Sequence, residues 1–186
     1  MIMLLALVIV TTLTGKLFSG SRAETCLNSI CTVKAKGPSV VEAVVVKINE
    51  LGIFPYDRKF LFRIAWVESK YGQDHRTYRR GYYGGIWQVD RIGHVETTTQ
   101  RRLRNYWNEI KAKLGIDWTK TTWADLEKPL YSGLAARLYL ARIPASIPTD
   151  LPSQAQYWKT YYNTEAGSGT VQKFINDVKL AKGCAM

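Results

Sequence analysis

The acidic side chain best placed for chemistry is Glu68, which continues an apolar helical pattern. Leu61, Ile64 and Ala65 recur at the spacing of one helix face, and Glu68 comes next on that face. It also lies near the negative end of a helix predicted over residues 57–72, with Asp57 as its N-cap. Burial and the helix dipole both disfavour ionisation, so we expect a raised pKa and a carboxyl group able to act as a general acid near neutral pH.

The same spacing fits a buried structural glutamate that pairs with an arginine, because structural ion pairs also perturb carboxylates. Residues 84–90, which read GGIWQVD, favour a site instead. Paired glycines let the backbone pass close to a ligand or to another segment. We therefore expect Gln88 and Asp90 to line a cleft with Glu68.

Three short motifs resemble those of the goose-type lysozymes and their relatives, the lytic transglycosylases. Glu68 and Ser69 resemble the family's glutamate-serine pair, and residues 85–90 (GIWQVD) resemble its G-L-M-Q-V-D segment. Tyr162 and Asn163, followed by AGSG at residues 166–169, resemble its Y-N-A-G-x-G signature. The three motifs stand in the family's order and span most of the chain after residue 57.

The resemblance implies a mainly α fold of the α+β lysozyme-like class. This would be a single helical domain with a small β-element or an irregular loop after the helix that bears Glu68. It implies Glu68 as the catalytic acid, with Asp90 as the candidate second carboxylate. The implied substrate-binding residues are Ser69, Gly85, Gln88, His94, Tyr162 and Asn163.

The chain departs from the family pattern where a water-activating group is expected. Goose-type enzymes often carry another aspartate between the glutamate and the glycine run, where this chain has Arg79 and Arg80. Asp74 lies earlier in the sequence. Two residues, Thr164 and Glu165, interrupt the third motif, and Trp87 replaces a methionine. These differences bear on water activation more than on the fold.

The implied reaction is cleavage of a glycosidic bond, in which an acid protonates the leaving oxygen and a second carboxylate activates water. In an inverting enzyme Asp90 would lie roughly 6.5–9.5 Å from Glu68, which leaves room for that water. If Asp90 lies outside this range, a hydroxyl of the sugar itself attacks, as in lytic transglycosylases, and Glu68 alone suffices. We expect Tyr162 to lie near enough to orient Glu68.

Residues 1–23 are predicted to be a secretory signal peptide, which leaves residues 24–186 as one lysozyme-like domain. Residues 2–14 form a short apolar run, and the small residues Ser21 and Ala23 suit cleavage after Ala23. A retained anchor is the alternative, since no basic residue precedes the run. The formal charge of +11, or about +9 without the signal, would draw a secreted protein to anionic surfaces such as bacterial walls.

The expected function is that of a secreted, antimicrobial muramidase acting on peptidoglycan, with chitin or another amino-sugar polymer left open. We expect no cofactor, no metal, no specific nucleic-acid partner and a monomeric state. Two other classes remain: a non-catalytic glycan-binding or matrix protein on a lysozyme-like scaffold, and a cationic protein that kills by acting on membranes. Substitution of Glu68 separates the enzyme from both.

The three cysteines, Cys26, Cys31 and Cys184, are an odd number for an oxidising compartment. A disulfide bond from the N-terminal pair to Cys184 would close the longest loop and constrain the unfolded chain most. The alternative is a local bond between Cys26 and Cys31, with Cys184 free or paired between chains.

Local patterns predict the elements that surround the site. A capping box at Ser39 and Glu42 predicts a helix that ends at Gly52, and an amphipathic pattern predicts another over residues 98–114. Ser153 and Thr170 are predicted to cap helices over residues 153–163 and 171–182. The tyrosine-rich residues 71–83 are either a cleft wall for sugar rings or a solvated loop.

Overall fold

The chain is mainly helical in the computed structural model, which describes residues 29–57, 59–164 and 167–181. Seven α-helices occur in those ranges: α1 Pro38–Glu50, α2 Phe60–Ser69, α3 Arg91–Thr99, α4 Arg104–Leu114, α5 Pro129–Ala141, α6 Leu151–Trp158 and α7 Val171–Leu180. Short 3₁₀ turns and one π-helical turn connect some of them. None of the described residues forms a β-strand. The predicted mainly α class is confirmed, whereas its lysozyme-like details stay a prediction.

Helix α5 lies at the centre of the described structure, in contact with α1, α2 and α3. Ten of its 13 residues are buried, as expected of a helix that is apolar on most of its surface. At Gly133 a Cβ atom would come within 2.6 Å of the Val44 side chain. Glycine therefore allows α1 to cross α5 closely, which fixes the core on which the other helices pack.

Helix α2, which carries Glu68, is shorter at both ends than predicted. It begins at Phe60, and Asp57 is not its N-cap, although the Asp57 Oδ2 atom accepts a 3.1 Å hydrogen bond from the Leu61 N–H. After Ser69 the backbone turns left-handed at Lys70 and Tyr71 (φ 51° and 58°). These two residues end the helix before Gly72 and direct the following segment back across its end.

Residues 71–90 form an irregular, turn-rich segment in place of a β-element. Its tyrosines divide between the core and the surface. Tyr71 is buried, and the Tyr78 hydroxyl donates a hydrogen bond to the Ala35 carbonyl. Tyr83 is exposed to solvent, and its ring contacts that of Trp123. The segment is therefore partly a wall that covers the core, as well as a border of the site.

Besides the cap at Asp57, two further predicted caps and one predicted helix were wrong. Helix α1 starts at Pro38 with Gly37 as its N-cap and no side-chain cap, because proline suits the first helical position. Asp150, not Ser153, caps α6. The helix predicted over residues 98–114 is divided between the end of α3, a 3₁₀ turn and α4. The cap of α7 at Thr170 is confirmed, since its side chain accepts from the Lys173 N–H.

Several predictions lie outside the described residues. These are the signal peptide at residues 1–23, the alanine of the AGSG run, and the cysteine pairing, which involves Cys26 and Cys184. No helix in the described ranges combines the length and apolar character needed to cross a membrane.

Candidate active site

Glu68 lies on the wall of a cavity of about 200 Å³ between α2, α5, the segment of residues 82–90 and the segment after α6. The cavity is lined by Glu68, Tyr82, Gln88, Val89, Asp90, Tyr139, Tyr162, Asn163 and Thr164. Five of the residues predicted from the sequence motifs therefore meet in one place, although they come from three separate stretches of the chain.

The Glu68 carboxyl group is partly buried and is held by an indole. Trp158 Nε1 donates a 2.8 Å hydrogen bond to Glu68 Oε1. Burial raises the pKa of Glu68 to about 7, and the Trp158 hydrogen bond and the charge of Lys173 offset part of that rise. A carboxyl group with this pKa can carry a proton into a reaction near neutral pH.

Asp90 lines the same cavity and also begins a helix. It is the N-cap of α3, and its Oδ1 atom accepts a 2.6 Å hydrogen bond from the Gly93 N–H. The residue is exposed at the cavity wall. One carboxylate oxygen is thus held by the helix, which fixes the direction of the group.

Gln88 reaches the cavity from a strained backbone position, with a left-handed φ of 53°. Its Nε2 atom donates to the carbonyls of Gly85 (2.6 Å) and Thr77 (3.3 Å). Its Oε1 atom accepts from Arg79 Nη1 at 3.2 Å. These bonds immobilise the amide, so Gln88 is a fixed part of the wall.

Ser69 and Gly85, predicted to bind substrate, lie outside the cavity and support it instead. The buried Ser69 hydroxyl donates to the Ile86 carbonyl at 2.6 Å and accepts from the Gly72 N–H at 2.8 Å. At Gly85 a Cβ atom would lie 2.0 Å from the Leu126 carbonyl oxygen. Both residues therefore place residues 84–90 against α2 and the core.

His94, also predicted to lie in the cleft, does not line the cavity. It is buried on the inner face of α3, where Nε2 lies 3.2 Å from Thr121 Oγ1 and the ring packs against Trp118. Burial lowers the pKa of His94. The neutral ring is part of the core because the helix that Asp90 caps turns this position inward.

Tyr162 and Asn163 line the cavity from the π-helical turn Lys159–Asn163. The Tyr162 hydroxyl donates to the Trp87 carbonyl at 2.7 Å, and Asn163 Oδ1 accepts from Lys159 Nζ at 3.1 Å. Tyr162 thus holds the segment of residues 84–90 and does not donate to Glu68 as expected. The hydrogen bond that orients Glu68 comes from Trp158 instead. Trp158 was not predicted from the sequence. The signal that could have indicated its role is its position four residues, about one helical turn, before Tyr162.

A second cavity of about 340 Å³ borders Glu68 on another side. It is lined by Glu68, Asp74, Arg76, Thr77, Arg79 and Gln88. Glu68 and Gln88 are the residues that both cavities share. Arg76 holds the Asp74 carboxylate through Nε and Nη2, both at 3.3 Å, and these bonds keep the pKa of Asp74 below its usual range. The first cavity, lined by three tyrosines and two acidic side chains, thus adjoins a second cavity that is lined by two arginines.

Together, the fold and the site define a mainly helical protein in which a carboxyl group of raised pKa borders two polar cavities. No group of three or more His, Cys, Asp or Glu side chains within the described ranges could hold a metal ion. The chain matches no family model, and no curated protein or solved structure is detectably similar to it. The function is therefore argued from the residues of the site.

Proposed function

We propose that the protein is a secreted glycoside hydrolase that cleaves the glycan strands of peptidoglycan, with Glu68 as the general acid. One observation carries the proposal. A partly buried carboxyl group with a pKa raised to about 7 lies in a cavity with a second carboxylate, Asp90, and with the amides of Gln88 and Asn163. This set of groups suits acid-catalysed cleavage of a sugar polymer.

In the proposed reaction Glu68 donates its proton to the leaving glycosidic oxygen while positive charge develops on the sugar ring. The carboxylate that remains keeps the hydrogen bond from Trp158 Nε1, which favours the charged form. The rings of Tyr82 and Tyr139 line the cavity, and an arginine covers one face of each, so a sugar can contact them at an edge or at the other face. Asp90, held by the Gly93 N–H, acts as the base for the attacking water.

A lytic transglycosylase is the second candidate, favoured by the role of Asp90 as a helix cap. Its Oδ1 atom is engaged at 2.6 Å by the Gly93 N–H, and a reaction in which the sugar's own hydroxyl attacks needs no second carboxylate. The products distinguish the two reactions. Hydrolysis gives a reducing end, whereas transglycosylation gives an anhydro product lighter by one water.

The test is clearing of a bacterial wall suspension by the wild type and Glu68→Gln side by side. We expect Glu68→Gln to lose at least about a hundredfold in rate, because general acid catalysis is lost while shape and hydrogen bonding are kept. Glu109→Gln, an exposed change on α4, is the matched control and should clear walls like the wild type.

Equal activity of Glu68→Gln and wild type would contradict the proposal. Killing that survives the substitution and falls steeply with salt would indicate membrane action, because salt screens exposed charges. Binding of glycan by both proteins with turnover by neither would indicate a non-catalytic glycan-binding protein.

A further inference from the structure

Arg79 is held in a fixed orientation on the wall of the second cavity. Its Nη1 atom donates to Gln88 Oε1 at 3.2 Å and to the Arg76 carbonyl at 3.0 Å. Its guanidinium carbon lies 3.5 Å from the centre of the Tyr82 ring. Tyr82 is itself anchored, because its hydroxyl donates to the Gln88 carbonyl at 2.8 Å. The guanidinium group is therefore stacked and tethered beside the residues that adjoin Glu68.

The charge of Arg79 is not neutralised by a carboxylate within the described ranges. One of the two acids in the cavity lining, Asp74, is bonded to Arg76 through both carboxylate oxygens. The other acid in the lining is Glu68, which must be protonated to act as the acid. The partners of Arg79 are a carbonyl, an amide and an aromatic ring, so the second cavity keeps one excess positive charge.

The unused edge of this guanidinium group suits a carboxylate. Its hydrogen bonds to the Gln88 amide and to the Arg76 carbonyl both come from Nη1, so the edge formed by Nε and Nη2 takes part in neither. Two parallel N–H groups match the two oxygens of a carboxylate, and this pair is strengthened by opposite charges, which the hydroxyls of a neutral sugar do not carry. Because stacking on Tyr82 already restricts the side chain, binding loses less conformational entropy.

We propose that Arg79 is a specificity-determining residue that binds a carboxylate carried by the sugar in the second cavity. The protein would then prefer an acidic amino-sugar polymer to a neutral one. Alternate sugars of a peptide-free peptidoglycan strand carry a free, ether-linked carboxylate, whereas a strand that keeps its peptides holds the same group as an amide, and the sugars of chitin carry none. This inference rests on the proposed glycosidase function.

The experiment compares two substrates that differ only at the carboxyl group. One is a peptide-free muramyl oligosaccharide with free carboxylates, and the other is the same oligosaccharide with those groups converted to amides. kcat/KM is measured on both for the wild type, Arg79→Gln, Arg79→Lys and Arg80→Gln. Arg80 is exposed and lines neither cavity, so Arg80→Gln is the matched control for the loss of one charge.

We expect the wild type to prefer the carboxylate substrate by roughly tenfold to a hundredfold, the range of hydrogen bonds to a charged group. Arg79→Gln should lose that preference by losing rate on the carboxylate substrate alone. Arg79→Lys should retain part of it, because the charge remains without the planar fork. Arg80→Gln should keep the full preference.

Two results would overturn the inference. One is equal cleavage of both substrates by the wild type. The other is an Arg79→Gln variant that slows on both substrates by the same factor, which would mean that Arg79 acts only by supporting Gln88 and Tyr82. Failure of the proposed function is a separate outcome, because it would appear as Glu68→Gln retaining turnover on the carboxylate substrate.

Discussion

Trp158 Nε1 and Glu68 Oε1 are joined by a 2.8 Å hydrogen bond across 90 residues of sequence. The bond links α6 to the last turn of α2 at the wall of the first cavity. The ring of Trp158 also packs against Phe174 of α7, with 5.1 Å between ring centres. The packing of three helices therefore sets the orientation of the acid and limits the rise of its pKa.

Replacing Trp158 with phenylalanine should move the alkaline limb of the pH–rate profile upward. The indole N–H favours the ionised carboxylate, so its loss raises the pKa of Glu68 further above its present value of about 7. Glu68 would then keep its proton to higher pH, and we expect a shift of about one pH unit in kcat/KM together with a lower maximal rate.

The control is Trp66→Phe, which removes an indole hydrogen bond to the Asp177 carbonyl instead. The pH–rate profile of Trp66→Phe should have the same alkaline limb as that of the wild type. An unchanged limb in Trp158→Phe, or an equal shift in both variants, would mean that the Trp158 bond does not set the titration of the catalytic group.

Glu68→Gln should be more stable than the wild type at high pH. Burial raises the pKa of Glu68 from 4.5 to about 7, so the folded state binds more protons than the unfolded state between these values. The stabilising effect of the raised pKa is present below pH 4.5 and is lost as pH rises through 7. At 1.36 kcal/mol per unit, the variant should gain about 3 kcal/mol relative to the wild type between pH 4 and pH 8.

Urea unfolding of both proteins at the two pH values measures this difference. Glutamine accepts the Trp158 hydrogen bond through its amide oxygen, so the comparison isolates the charge. A stability difference that does not change with pH would show that the Glu68 pKa is not raised in the folded protein.

Local sequence patterns predicted that the Glu68 side chain lies on the inward face of its helix, but they did not predict which residues surround it. Leu61, Ile64 and Ala65 are buried, as the periodicity of α2 indicated, and Glu68 lies on the same side of the helix. This prediction needed only the geometry of one helix. Trp158 and Tyr139 lie beside Glu68 because of the way α5 and α6 pack against the core, and no local sequence pattern encodes that packing.

The predicted position of His94 was wrong for a different reason. The resemblance to goose-type lysozymes implied a place in the cleft for this residue, four positions after Asp90. Asp90 instead starts a helix, and one turn later that helix faces the core, where Trp118 and Thr121 enclose the ring. A resemblance in sequence position does not fix the direction of a side chain, which here depends on where α3 begins.

The buried pair of Arg137 and Asp57 should be costly to break. Arg137 Nη1 lies 3.7 Å from Asp57 Oδ2, and their side chains are 5% and 2% exposed. Arg137→Met would leave a buried carboxylate without its partner, and we expect a loss of about 3–5 kcal/mol in urea unfolding at neutral pH. Because burial raises the pKa of Asp57, the loss should shrink in acid, where the carboxyl group is protonated.

The double variant Asp57→Asn, Arg137→Met is the control for this charge effect. It removes both charges, while the asparagine oxygen still accepts from the Leu61 N–H, so it should be more stable than Arg137→Met alone. A double variant that is less stable than the single one at neutral pH would contradict the prediction.

Alanine substitutions at Gly85 and Gly81 separate two effects. Both strain a left-handed backbone, but only the change at Gly85 also disturbs the close contact between residues 84–90 and the core. Both glycines have left-handed φ angles, 63° and 76°. A Cβ at Gly85 would lie 2.0 Å from the Leu126 carbonyl oxygen and 2.5 Å from Ser132 Oγ, whereas at Gly81 it would meet nothing within 4 Å. Gly81→Ala should therefore cost only about 1–2 kcal/mol, the cost of a left-handed alanine.

Gly85→Ala should cost clearly more than Gly81→Ala in thermal unfolding, because the clash adds to the same strain. It should also displace residues 84–90, since Ser132 Oγ accepts from the Trp87 N–H and donates to the Gly84 carbonyl. Gln88 and Asp90 would move with that segment, so activity should fall even at temperatures where the variant stays folded. Equal unfolding temperatures and equal activities for the two variants would mean that the approach of this segment to the core is not what holds Gln88 and Asp90 beside Glu68.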